Sequence, residues 1–100
     1  MRIDLTKTKY AVHSTKRFDK NLKKIYKQGK KLDKLIDVVN KISNDEILED
    51  KYHDHSLIDD KYYQNCRECH IEPDWLLIYK KQDNDLVLVL TATGSHSDLF

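Results

Sequence analysis

The sequence predicts an α+β fold with the element order β-α-α-β-β-β, in which an antiparallel-dominated sheet carries an N-terminal helical hairpin on one face. The first half of the chain has apolar side chains at helical spacing, and the second half has three β-type runs separated by turn residues. Hydrophobic residues make up 39% of the 100 residues, which is enough for one modest core. We therefore expect one domain that spans residues 1–100.

The first half of the chain predicts a short strand and two helices. The strand covers Tyr10–His13, and Ser14 is the expected N-cap of the first helix. Gly29 ends that helix and a second apolar stripe follows at once, so the two helices should pack as an antiparallel hairpin with their lysines outward. The stripes are Phe18, Leu22, Ile25 and Tyr26 in the first helix, and Leu32, Leu35, Ile36, Val39 and Ile42 in the second.

The second half begins with an acidic, irregular segment at 44–61, whose few apolar side chains we expect to anchor it to the core. Beyond it the pattern changes to strands, which are separated by Pro73 and by the polar turn 82–85. The predicted anchors are Ile47, Leu48 and Leu57, and the predicted strands cover 62–71, 74–81 and 86–93.

One of these strands is predicted to be central. The run 75–79 is apolar at both alternating positions, which is typical of a strand covered on both faces. The helical hairpin accounts for one face of the sheet. We expect the opposite face to be open, with room for a substrate.

Charge is divided sharply along the chain. Residues 1–44 carry 13 Lys and Arg against 4 Asp and Glu, a net of +9, whereas residues 45–100 carry a net of −8. The basic half is typical of a protein that binds a polyanion such as nucleic acid. A solvated, lysine-rich helix face has the same composition, so charge alone leaves both interpretations open.

The sequence contains no membrane signal. No apolar run approaches the roughly 20 residues needed to cross a bilayer, and residues 1–4 are too polar for the apolar segment of a signal peptide. We therefore expect a cytoplasmic protein with no membrane partner. Cys66 and Cys69 would then stay reduced.

Histidines cluster at the ends of the predicted strands. Four of the five lie between residues 53 and 96, and adjacent antiparallel strands would gather them on one rim of the sheet. An imidazole can take and give a proton near neutral pH, because its unperturbed pKa is about 6.5. RNA cleavage without a metal or cofactor needs this ability twice, to activate the ribose 2′-hydroxyl and to protonate the leaving 5′-oxygen. The four residues are His53, His55, His70 and His96.

Two aromatic residues, Trp75 and Phe100, could stack a base of single-stranded RNA. Each also has a structural interpretation, because Trp75 lies in an apolar strand and Phe100 could pack into the core. Histidines in small proteins are often structural as well. These residue types alone therefore leave a nuclease and a structural interpretation open.

Three segments, taken together, resemble the YafQ branch of the RelE toxin superfamily. They are 54–57 (DHSL), 67–79 (RECHIEPDWLLIY) and 94–100 (GSHSDLF), in the family's order and spacing. The resemblance implies a RelE-like fold and a type II toxin: a ribosome-dependent endoribonuclease, or mRNA interferase, that inhibits translation. Messenger RNA and the ribosome would be its partners. A cognate antitoxin would neutralise it in a hetero-oligomer that reaches operator DNA through the antitoxin.

The resemblance also implies roles for individual residues. His70 and His96 would share the general base and general acid roles, in an order that stays open. His55 would contact or stabilise the phosphate. Asp74 would orient or polarise an imidazole, and Phe100 would position the substrate base.

Three further positions concern substrate binding. Trp75 matches a neighbouring active-site position, and Arg67 is either a phosphate contact or a structural ion-pair partner. Ala92 departs from the family pattern, which usually has arginine there to supply a cation for the transition state. Losing such a group typically costs roughly 3–4 kcal/mol. A nearby lysine could replace it, the protein could be a weakened natural form, or the alanine could have been introduced to reduce toxicity; we favour the last.

Two other functions compete with the nuclease. The chain has several zinc-ligand residue types, but a strand places positions 66 and 69 on opposite faces, so we expect no metal site. The other alternative is a non-catalytic protein that binds nucleic acid or an antitoxin, which the alanine at position 92 favours. The residues with zinc-ligand side chains are His53, His55, Cys66, Cys69 and His70.

Overall fold

The structure, a computed structural model, describes residues 8–58 and 60–100. Residues 1–4, on which the expectation of no signal peptide rests, lie outside the described residues. The described elements follow the predicted order, with a short extra strand before residue 57 and a short extra helix at the end. The strands are β1 (Ala11–Ser14), β2 (His55–Ser56), β3 (Arg67–Glu72), β4 (Trp75–Gln82) and β5 (Val87–Gly94); the helices are α1 (Lys16–Lys27), α2 (Leu32–Ser43) and α3 (His96–Leu99), with a 3-10 turn at Asp50–Tyr52.

The described residues form one five-stranded sheet with the order β1-β5-β4-β3-β2. Strand β1 runs parallel to β5, and the other three pairings are antiparallel. This architecture confirms the predicted α+β class and its antiparallel-dominated sheet. Strand β2 was not predicted, because two residues are too short to show an alternating pattern.

The helical hairpin begins one residue later than predicted. Thr15, not Ser14, is the N-cap of α1: its hydroxyl oxygen accepts a hydrogen bond from the Phe18 backbone N–H at 3.0 Å, and its O–H donates to the Thr91 carbonyl at 2.7 Å. Ser14 remains in β1, and the sequence could not distinguish two adjacent hydroxyl side chains. The prediction for Gly29 is confirmed, since it follows the C-cap with a φ of +81°. No helix in the described part of the chain is long and apolar enough to span a membrane.

The predicted apolar stripes bury most of their members between the helices and one face of the sheet, which we call the helix face. Two expectations are wrong. Tyr26 is 63% exposed, because it lies at the outer margin of the α1 stripe, and Ile47 is 95% exposed although its neighbour Leu48 is buried. The buried stripe residues are Phe18, Ile25, Leu32, Leu35, Val39 and Ile42, with Leu22 partly buried.

The other face of the sheet is less open than expected. Residues 62–66 form a turn, so the predicted strand 62–71 is confirmed only from residue 67 onward, and this turn and α3 cover the middle of that face. We call this face the loop face. Its apolar cluster explains why 75–79 is buried on both sides of β4, as predicted. The cluster consists of Tyr63, Cys66, Leu76, Ile78, Ala92 and Leu99, with Leu57 packed against it.

Candidate active site

The register of the sheet places several predicted site residues on the loop face. Directly paired residues of antiparallel strands point to the same side. His70 is paired with Leu76, and Glu68 is paired with Ile78, so both lie on the side of the apolar loop-face cluster. His55 is paired in turn with Glu68 and joins them from the edge strand β2.

Four aromatic rings follow one another along the rim of this face. The ring centroids of His53 and His70 are 5.5 Å apart, and those of His70 and His96 are 5.7 Å apart. The Phe100 ring continues the row, 6.3 Å from His96. These imidazoles come from the segment after the 3-10 turn, from β3 and from α3, so the structure gathers them on one rim as the sequence predicted.

Asp74 fixes the orientation of His96. One carboxylate oxygen, Oδ1, accepts both the backbone N–H and the ring Nδ1–H of His96, each at 3.1 Å. The backbone hydrogen bond, followed by the ring hydrogen bond, lowers the pKa of Asp74 below its ordinary value, so the carboxylate stays charged. Donation from Nδ1 leaves Nε2 of His96 free to exchange a proton with a substrate.

Glu68 is a site residue that the sequence reasoning missed. Its side chain is buried, and Oε1 lies 3.3 Å from Nε2 of His70 and 3.8 Å from Nε2 of His55. A buried carboxylate needs such partners. Its position two residues before His70 was an available signal, because residues i and i+2 of a strand share a face.

The C-terminal turn is held in place at both ends. Ser95 and Asp98 form a capping box at the start of α3, and Lys24 of α1 reaches Asp98 at 2.7 Å. The buried hydroxyl of Tyr63 donates to the Leu99 carbonyl at 2.9 Å. Phe100 is 56% exposed and packs its ring edge against Tyr63, so the turn presents an aromatic face to solvent beside the imidazoles.

Two predicted substrate-binding residues lie elsewhere. Trp75 is 1% exposed on the helix face, where its Nε1–H donates to Thr93 Oγ1 at 3.0 Å, and this position favours its structural interpretation. Arg67 also points to the helix face, because it is paired with Tyr79. Arg67 binds Asp54 at 3.0 Å, which favours its structural interpretation.

Ala92 is completely buried on the same face as the histidines. It is paired with Ile78, which is itself paired with Glu68, so the three form a row across β5, β4 and β3. Its methyl group packs into the loop-face cluster rather than against solvent. The backbone position therefore points toward the site, and the side chain is too short and apolar to contribute a charge there.

The residues present could hold a metal ion, although not in the way the zinc alternative required. Cys66 belongs to the loop-face cluster and Cys69 to the helix-face core, and burial raises the pKa of the Cys69 thiol. These two cysteines cannot share one ion. Glu68, His70 and His96 instead offer three ligand atoms that all lie within 4.8 Å of one another, a set suited to Zn²⁺ or Cu²⁺.

Comparison with known families gives the class of the protein, a bacterial toxin of a type II toxin–antitoxin system. Residues 10–100 match the profile of the family described as "Bacterial toxin of type II toxin-antitoxin system, YafQ". A curated relative from Escherichia coli strain BL21-DE3, "mRNA interferase toxin YafQ", is 36% identical over 84 residues, which cover 83% of this chain and 87% of the relative. This chain belongs to the YafQ family.

Solved structures agree with this assignment. A metal-bound toxin from Helicobacter pylori superposes with a TM-score of 0.83 at 38% identity, over 91% of this chain and 99% of that one. YafQ in the E. coli DinJ–YafQ toxin–antitoxin complex superposes with a TM-score of 0.81 at 31% identity, over 92% of this chain and 98% of that one. The shared fold therefore extends over nearly the whole length of these proteins.

Proposed function

We propose that this chain is an endoribonuclease that cuts messenger RNA on the ribosome by metal-independent acid–base catalysis. The observation that carries the proposal is the pair His70 and His96, whose rings are 5.7 Å apart on an accessible rim, with His96 oriented by Asp74. That spacing suits two imidazoles on either side of one phosphate. The name of the E. coli relative, an mRNA interferase, supports the same reaction class.

In the proposed reaction one imidazole removes the proton of the ribose 2′-hydroxyl, and the 2′-oxygen attacks phosphorus. The other imidazole donates a proton to the departing 5′-oxygen as the P–O bond breaks, which leaves a 2′,3′-cyclic phosphate and a free 5′-hydroxyl. Each proton transfer by a positioned side chain accelerates the reaction by roughly 10²–10⁴-fold. His70 and His96 carry these two roles in an order that we leave open, and the exposed Phe100 ring stacks a neighbouring base.

The exposed lysines of the helical hairpin supply the ribosome contact in this proposal. Lys16, Lys20, Lys23, Lys27 and Lys31 are all exposed. A protein that neutralises RNA phosphates displaces counterions, so binding to ribosomes should weaken steeply as salt rises. Binding that does not change with salt would contradict this role for the hairpin.

Control by a partner protein completes the proposal. The E. coli relative is found in complex with the antitoxin DinJ. We infer that a cognate antitoxin binds this chain in the cytoplasm, that the hetero-oligomer contacts operator DNA through the antitoxin, and that the toxin is silent while bound. This is tested by expressing the chain with and without the gene that lies next to its own gene. We expect growth arrest when the chain is expressed alone and relief of that arrest when the adjacent gene is expressed with it.

The nuclease is tested in a purified translation system. The chain should halt translation and leave messages cut at ribosomes, with 2′,3′-cyclic phosphate ends, and His70→Ala and His96→Ala should each abolish cutting. His13→Ala is the matched control, because His13 is an exposed histidine on β1 at the opposite edge of the sheet. Intact messages with the unaltered chain would instead favour the non-catalytic, binding alternative.

A second candidate function is binding of a transition metal that blocks the same imidazoles. The cluster of Glu68, His70 and His96 favours it, and two toxin structures from H. pylori are described as metal-bound and copper-bound. A bound ion would occupy the ring nitrogens needed for proton transfer, so Cu²⁺ or Zn²⁺ should inhibit cleavage. Calorimetric titration should show binding that Glu68→Gln and His96→Ala weaken and that His13→Ala does not.

A further inference from the structure

We propose that His53 is a substrate-contacting residue that donates a hydrogen bond to a non-bridging oxygen of the scissile phosphate. The proposal rests on the proposed nuclease function and adds a residue to it. It comes from three observations on the described part of the chain: the place of the His53 ring, the lack there of a hydrogen-bond partner for its ring nitrogens, and the engagement of the nearby cations with other groups.

The backbone directs His53 toward the site. The residue follows the 3-10 turn with a φ of +48°, a left-handed conformation that non-glycine residues rarely adopt. Its carbonyl oxygen accepts the Nδ1–H of His55 at 2.6 Å, which ties the turn to β2. The result is an exposed imidazole whose edge meets the ring of His70.

The reaction needs a donor at this place. Extra negative charge develops on the non-bridging oxygens as the 2′-oxygen attacks, and a donor aimed at those oxygens stabilises the transition state more than the ground state. In the proposed reaction, His70 and His96 are already assigned to proton transfer at the attacking 2′-oxygen and the leaving 5′-oxygen. A separate group must therefore face the phosphate.

The neighbouring cations are engaged elsewhere. Lys30 and Lys34 lie 3.4 Å and 2.8 Å from the two carboxylate oxygens of Glu72, and their hydrogen bonds, above all that of Lys34, lower the pKa of Glu72. Arg67 is held by Asp54 on the opposite face of the sheet. Lys51, which also lines the groove, lies over the Tyr52 ring, 5.1 Å from its centroid. Ala92 has no charge to offer.

Among the histidines of the site that are not assigned to proton transfer, His53 is the one whose ring nitrogens are unengaged in the described part of the chain. Within residues 8–58 and 60–100, neither of its ring nitrogens has a hydrogen-bond or ion-pair partner, whereas the His55 ring is used by the His53 carbonyl and by Glu68. His53 lines an open groove of about 830 Å³ together with His55, His70 and Lys34. A strand of RNA in that groove would pass His53 as it reaches His70.

The test uses single-turnover cleavage of a message on purified ribosomes with the full chain at saturating concentration. His53→Ala and His53→Phe should slow the cutting step by about 100-fold, the lower end of the range for a lost oxyanion donor. His53→Phe keeps an aromatic edge against His70 without a donor, and His53→Lys, which restores a donor, should recover most of the rate. His13→Ala is the control.

Sulfur substitution of the scissile phosphate separates contact from mere positioning. A phosphorothioate in which sulfur replaces the contacted non-bridging oxygen should slow the unaltered chain, and this slowing should shrink toward onefold in His53→Ala. The proposal for His53 would be overturned if sulfur slowed both proteins equally. It would also be overturned if His53→Ala and His53→Phe kept full activity while His70→Ala was inactive. Either result would leave the proposed nuclease function standing. No cleavage by the unaltered chain would overturn both.

Discussion

The carboxylate of Asp74 accepts two hydrogen bonds from His96 through a single oxygen, one from the backbone N–H and one from ring Nδ1, both 3.1 Å long. The first holds the start of α3 against the turn between β3 and β4. The second sets the tautomer of the ring. A single carboxylate thus fixes both the position of an imidazole and the nitrogen that it offers to a substrate.

Replacing Asp74 by asparagine should therefore slow cleavage without unfolding the protein. Asparagine can still accept the backbone N–H, but a neutral amide holds the ring less firmly and stabilises a protonated imidazole less. Misplacement of a reacting group lowers the reaction rate by up to about 10²-fold, and we expect the single-turnover rate to fall by a factor of that order. Circular dichroism should show an unchanged fold; a variant with the full rate would contradict the orienting role.

Trp75→Phe should lower stability and leave cleavage per folded molecule unchanged. The substitution removes the Nε1 hydrogen bond to Thr93 and some buried volume, at a cost of about 1–3 kcal/mol. For a domain of this size each kcal/mol shifts the melting temperature by roughly 4–8 °C. Tyr26→Phe, an exposed aromatic control, should not change it. A stable Trp75→Phe protein with no activity would return this residue to the substrate site.

Ala92→Arg should increase growth arrest at a cost in stability. The register row from Ala92 through Ile78 to Glu68 directs a longer side chain across the loop face toward the histidines, where a guanidinium would stabilise the phosphate. The same side chain has to pass through a closed apolar cluster, which is unfavourable for a charge. Ala92→Met is the control: it lengthens the side chain without adding a charge, so it should lower the stability of the protein without increasing growth arrest. Unchanged arrest by soluble Ala92→Arg protein would contradict the prediction.

Stability should fall in acid partly through Asp98. The Lys24 ammonium, followed by the Ser95 hydroxyl and backbone, lowers the pKa of Asp98 below its ordinary value. The unfolded state then binds protons more readily than the folded state, so the stabilisation is present above the unfolded pKa of about 3.9 and is lost as pH falls through the lower folded value.

Thermal melting of the unaltered chain and of Asp98→Asn from pH 7 to pH 3 measures this contribution. The two melting curves should approach one another at the acid end. Asp85→Asn is the control, because Asp85 is exposed in the β4–β5 turn and forms no hydrogen bond or ion pair within the described residues. A constant difference between the unaltered chain and Asp98→Asn at all pH values would show that the charge of Asp98 does not act through its titration.

Local patterns predicted the elements of the fold well, because short-range constraints decide them. The periodic burial of Leu35 and Val39 and the helix-ending Gly29 follow from the geometry of one or two turns. The residues at which helices begin depended on contacts with distant parts of the chain. Thr15 caps α1 in part because its hydroxyl also bonds to the distant Thr91 carbonyl, a contact that a local pattern cannot contain.

For the candidate site as well, some features could be predicted from the sequence and others depended on packing. The three motif segments, through their resemblance to the YafQ family, pointed to His55, His70, Asp74, His96 and Phe100 as candidate site residues. Packing decided the surroundings of their neighbours: Trp75 is buried on the helix face, and the carboxylate of Glu68 is buried beside the rings of His70 and His55.

By itself, the sequence determined that this protein has a basic helical half and a histidine-bearing sheet, since composition and periodicity are local properties of the chain. Only the tertiary structure decided which side chains share a face. A strand reverses side-chain direction at every residue, so the register of β3 against β4 and β2 places Glu68 and His70 with His55 and turns Arg67 away. Distances of a few ångströms between remote segments set the chemistry, and those distances arise from the folded chain.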